Sequence, residues 1–95
     1  MLRYTITAPA LGAPDVVTRE VTTEVNGTAS TEVIPASQAS IVREFNDNDV
    51  VKIFFTDTDD AGNVGAPGTA LEFTALDTIP PGPPGAPVVA SVEEV

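Results

Sequence analysis

Ninety-five residues, 42% of them apolar and together carrying a net charge of −10, suffice for one domain with a single core and leave little room for a deep cleft. The negative field disfavours phosphate backbones and anionic bilayers, which argues against nucleic acid and membrane surfaces as partners and leaves divalent cations or a basic protein surface. With no histidine and no cysteine, the commonest general base, a thiol nucleophile, disulfide staples and the usual zinc ligands are all missing.

Leu2, Tyr4, Ile6 and Ala8 alternate with Arg3, Thr5 and Thr7, the signature of a strand with one buried face. Met1 runs straight into this alternation with no apolar signal-peptide core, so either a leader has been removed or the protein leaves its cell by lysis or assembly. Pro9 to Pro14 ends the strand. A second strand follows, with Val17, Arg19, Val21, Thr23 and Val25 on one face and Thr18, Glu20, Thr22 and Glu24 on the other. Asn26-Gly27 is a strong hairpin signal. A two-residue turn sets Val21 opposite Glu32. A three-residue loop, Val25-Asn26-Gly27, sets Val21 opposite Thr31 and Arg19 opposite Val33, keeps the valines together, and is the expected form.

Ala39, Ile41, Arg43 and Phe45 make a shorter alternation, and Asn46-Asp47-Asn48-Asp49 a turn. Val50 to Thr56 is the most strand-like segment, with Val51, Ile53 and Phe55 expected in the core and Val50 and Phe54 on the opposite face. A polar run from Asp57 to Gly68 precedes a last body strand at Leu71 to Ala75. Nine prolines and seven glycines leave no helix of useful length. Two layers of such strands predict an all-β antiparallel sandwich over residues 1–77. Residues 78–87, rich in proline and glycine, form an extended polyproline II spacer. Val88 to Val92 then has the makings of one more strand, and Glu93-Glu94 closes the chain in acid.

The stretch Val51-Lys52-Ile53-Phe54-Phe55, Asp59-Asp60-Ala61-Gly62-Asn63, Ala66-Pro67-Gly68, Leu71-Glu72-Phe73 and Asp77-Thr78-Ile79-Pro80-Pro81 resembles the end of a fibronectin type III or bacterial immunoglobulin-like repeat. Such repeats are found in adhesins and in tailed-phage structural proteins. The chain departs from the family where an aromatic often starts the penultimate strand, a slot holding Val50 or Val51 here. The resemblance implies a non-catalytic structural protein at a virion surface, a capsid decoration module contacting the major capsid protein or copies of itself. The alternative it implies is an extracellular adhesin-type binding repeat, stiffened by calcium.

Two groups of residues are candidate sites. Asp57, Asp59 and Asp60 sit in Asp57-Thr58-Asp59-Asp60-Ala61-Gly62, which has the opening spacing of a calcium loop but lacks an oxygen ligand at Ala61 and the bidentate glutamate at Gly68. An acidic turn between strands accounts for the same residues and is preferred. Val88, Val89, Ala90 and Val92 are the second group: a strand at the end of a stiff spacer folds back on its own sheet or is donated to the edge of a neighbour. No cofactor other than calcium is expected.

Overall fold

The computed structural model describes all 95 residues and is all-β, with no helix. Six strands follow one another: β1 (Leu2–Thr7), β2 (Val16–Val25), β3 (Thr28–Pro35), β4 (Ser40–Phe45), β5 (Val50–Asp59) and β6 (Leu71–Thr74). They form two antiparallel sheets, one of β1 and β4 and one in the order β3-β2-β5-β6. Period-two alternation explains both. Leu2, Tyr4, Ile6, Ile41 and Phe45 line one face of the small sheet, and Val21, Ile34, Val51, Ile53, Phe55 and Phe73 line one face of the large one.

The hairpin departs from the expected three-residue loop. Asn26 (φ 52°) and Gly27 (φ 87°) both lie in the left-handed region, the type I′ turn that matches strand twist, so Val21 faces Glu32 and Arg19 faces Ile34. The gain is Ile34: this register sends it into the core and leaves Val33 in water, 68% exposed. Glu32 escapes burial because β3 is an edge strand, and its carboxylate meets Arg43 of the other sheet at 2.6 Å. Asn26 also locks the hairpin to β5, accepting from Val50 N at 2.9 Å and donating to Asp49 at 3.0 Å. A second departure lies at the start of β2. The ladder to β5 slips between Val16 and Thr18, so Val16 is buried and Val17, expected inside, is half in water.

The carboxyl end is tied to the body only at its start. Asn48 N donates to Ala75 O and Ala75 N to Asp49 O, and Asp47 then accepts from Asp77 N at 2.7 Å. Beyond Ile79 no hydrogen bond holds the chain, every residue is exposed, and Val88 to Val92 forms no strand. A lone strand has no partner for its amides, and the spacer carries this one clear of both sheets. The molecule therefore measures 87 × 26 × 17 Å, with a radius of gyration of 21.8 Å, against about 12 Å for a compact chain of this length.

One apolar core joins the two sheets: Val21, Ile34, Val51, Ile53 and Phe55 from the large sheet, Ile41 and Phe45 from the small one, and Ala75. Three aromatic rings span the gap at one end. Tyr4 lies 5.7 Å from Phe45 and 5.0 Å from Phe73, and Phe45 meets Phe73 edge-on at 5.9 Å, so β1, β4 and β6 are tied by tilted contacts. F45A should therefore cost about 3–5 kcal/mol and lower the urea midpoint without changing the slope. A loss below about 1 kcal/mol would show that the rings do not bridge the sheets.

Candidate functional site

Arg19 is the least ordinary residue in the body. It stands on the core face of β2 with only 3% of its surface exposed, although a buried guanidinium needs its charge met and its donors filled. Its neighbour on β5, Asp57, accepts from Nε at 2.8 Å. Nη1 donates to Pro9 O at 2.6 Å and Nη2 reaches Ala10 O at 3.5 Å, while the guanidinium lies 4.7 Å from the centre of the Phe55 ring. The second oxygen of Asp57 accepts from Gly12 N at 2.9 Å. One ion pair thus pins the β1–β2 connection to the sheet.

Above this pair the β1–β2 and β5–β6 connections enclose an open cleft of about 560 Å³. Composition gave no hint of it. Gly12, Gly65 and Gly68 line it, and Gly65 N and Gly68 N donate to Asp57 O and Phe55 O, which holds the β5–β6 connection close against β5. The titratable groups lining it are Asp15, Arg19, Asp57 and Asp59. Asp57 is committed to Arg19 and Gly12, which gives the group a structural task.

The calcium candidate does not assemble. Asp57 and Asp59 belong to β5, which runs further than expected, and they serve different partners. Asp59 closes its own turn: it accepts from Asn63 N at 2.8 Å, Asn63 Nδ2 at 3.0 Å and Ala61 N at 3.0 Å. Asp60 is exposed and bound only through its backbone, to Asp15 O. No cluster of three or more carboxylates in the chain is placed to hold a metal ion. The bonds from Asn63, backbone first and side chain second, hold the Asp59 carboxyl below its ordinary value of 3.8. The turn at Asn46 to Asp49 likewise spends its acids on backbone: Asp49 accepts from Asn46 N, and Asp47 from Asp77 N.

The other candidate residues lie apart from the cleft. Val50 is 60% exposed and Phe54 half-buried on the outer face of the large sheet, beside Lys52, whose amine sits 3.9 Å from Glu24. Val88, Val89, Ala90 and Val92 are all exposed on the tail. Arg19 was visible in the sequence as a charge on an apolar face. Its role was not, because its partners come from residues 9–12 and 57.

Comparisons with protein-family models, with characterised proteins and with solved structures find no match for this chain.

Removing the Asp57 carboxylate strands a buried cation, so D57A should cost about 3 kcal/mol, whereas R19M/D57V, which removes both charges, should cost less than D57A alone; urea melts of both decide it. The Asp59 turn carries a sign. A group whose folded value is depressed adds stability that is full above the unfolded value and lost as pH falls through the folded one. Wild type should therefore lose melting temperature below pH 3.8 more steeply than D59N, with neither responding to millimolar calcium. Parallel acid profiles, or a calcium-dependent rise abolished by D59N, would contradict the turn's assignment.

Proposed function

We propose that the chain is a non-catalytic structural module, an immunoglobulin or fibronectin type III-like sandwich that acts through protein–protein contacts as a capsid decoration protein at a virion surface. The fold part rests on strand order. In the lettering of that fold, β2, β3, β5 and β6 correspond to C, C′, F and G, in the spatial order C′-C-F-G, while β1 and β4 correspond to B and E. The observation that carries the functional part is the tail: sixteen residues from Pro80 to Val95, fully exposed, with Val88, Val89 and Val92 between 79% and 88% in water. Apolar side chains held out on a stiff spacer are a means of reaching another protein. The acidic body suits a basic binding surface. Of the carboxylates that line the cleft, those of Asp57 and Asp59 are used to hold loops in place.

The test starts from the neighbouring genes, where this reading expects a major capsid or tail protein. Purified protein mixed with particles assembled from that capsid protein should sediment with them saturably. Protein left in the supernatant at every particle concentration would overturn the reading.

A further inference from the structure

We infer that the segment Val88–Val92 of one copy adds as an antiparallel edge strand to β1 of a second copy, linking molecules head to tail. The inference rests on the contact-module reading above and names the partner.

The small sheet is incomplete on one side. Two strands face four, and β1 has no neighbour across its outer edge. Ala8 N donates to Ala39 O, so by antiparallel alternation the amides and carbonyls of Arg3, Thr5 and Thr7 point away from β4, free to pair. The inward residues of β1, namely Leu2, Tyr4 and Ile6, are only half-buried although they pack on the core. That is the state of a core flank lacking its next strand.

The other edges fit the donor less well. On β4, Arg43 Nη1 caps Val42 O at 2.9 Å and ties the strand to Glu32 across the sheets. On β3, the inward neighbours of an added strand would be Ser30, Glu32 and Ile34; the first two are polar, and Ile34 is already buried in the core. The β6 strand is four residues long.

The tail matches β1 residue by residue. After Pro87 no proline interrupts the chain, and Val88, Ala90 and Val92 alternate with Val89 and Ser91. In antiparallel register with Val88 opposite Ile6, Ala90 falls opposite Tyr4 and Val92 opposite Leu2, the smallest donor residue meeting the largest acceptor. On the outer face Val89 meets Thr5 and Ser91 meets Arg3, and Glu93 comes diagonal to Arg3, which pairs with Glu44 at 3.0 Å and whose side chain, still 72% exposed, has room for a second carboxylate. The parallel orientation would carry Glu93 and Glu94 away from that cation.

Direction and reach agree. The tail leaves the body beside Asn48 and Asp47, next to the Leu2–Phe45 end of the small sheet. An antiparallel donor must arrive at the Thr7 end. The spacer, spanning about 31 Å if extended, points away from its own body, so the bottom of one copy serves the top of the next. Such a contact joins unlike surfaces and yields an open chain.

The absence of native cysteine makes the pairing directly testable in the full-length protein. T5C and V89C, made as separate chains and mixed under mild oxidation, should give a disulfide-linked heterodimer, since directly opposite strand residues lie within bonding range. S30C mixed with V89C, which probes the β3 edge, should give much less. Light scattering should show wild-type mass rising with concentration from 9.8 kDa, and V88E/V92E remaining at 9.8 kDa. Three results would overturn the inference: equal cross-linking at Ser30, a T5C/V89C double variant that closes within one chain at monomeric mass, or assembly unaffected by V88E/V92E. Capsid binding is read separately by sedimentation, so loss of self-pairing with retained capsid binding refutes this inference and leaves the proposed function standing.

Discussion

The parity of the β2–β3 hairpin is the constraint on which the rest of this structure depends. In a pleated strand every side chain changes face with a shift of one residue, so the length of the turn decides which apolar set is buried. Asn26 and Gly27, both at positive φ, close a two-residue turn and place Val21 between Glu32 on β3 and Phe55 on β5. Ile34 then joins Val21, Ile53 and Phe55 in one core. The side chain of Asn26 couples the turn to the start of β5, so the two registers of the central strand are set together.

A second feature follows from the same parity. Arg19 shares the inward face of β2 with Val21, and a guanidinium there is tolerated because its charge and donors are met by Asp57, Pro9 and Ala10. What results is a clamp for the long β1–β2 connection, which would otherwise cross the end of the sheet with few contacts. The acidic residues near it follow one pattern. Asp47, Asp49, Asp57 and Asp59 each accept a bond from backbone N–H, so much of the negative charge at this chain's turns is structural.

The strands and their inward faces were legible in the sequence wherever alternation ran unbroken, as in Leu2 to Ala8 and Val50 to Phe55. Legibility stopped where geometry depends on a partner. The hairpin register was misread because keeping the valines together looked decisive, whereas the trade was Val33 for Ile34 at the cost of placing Glu32 inward on an edge, where Arg43 of the other sheet reaches it. The slip at Val16 leaves no mark in the chain. The acidic run from Asp57 invited a metal, and only the location of Arg19 and Asn63 shows where its oxygens go. Composition could not announce the cleft, because its walls are the β1–β2 and β5–β6 connections, far apart in sequence, which meet at one end of the body.

The four-stranded sheet, the two-stranded sheet open along β1 and the packing between them all depend on the core face being the one described. Cross-strand NOEs between α-protons test that face most directly, since these protons come close only at directly opposed, non-hydrogen-bonded pairs. The account predicts contacts joining Glu20 to Val33 and Thr22 to Thr31. Contacts joining Val21 to Thr31 and Thr23 to Ala29 would mean a three-residue loop, with Val33 in place of Ile34 in the core, and would contradict it.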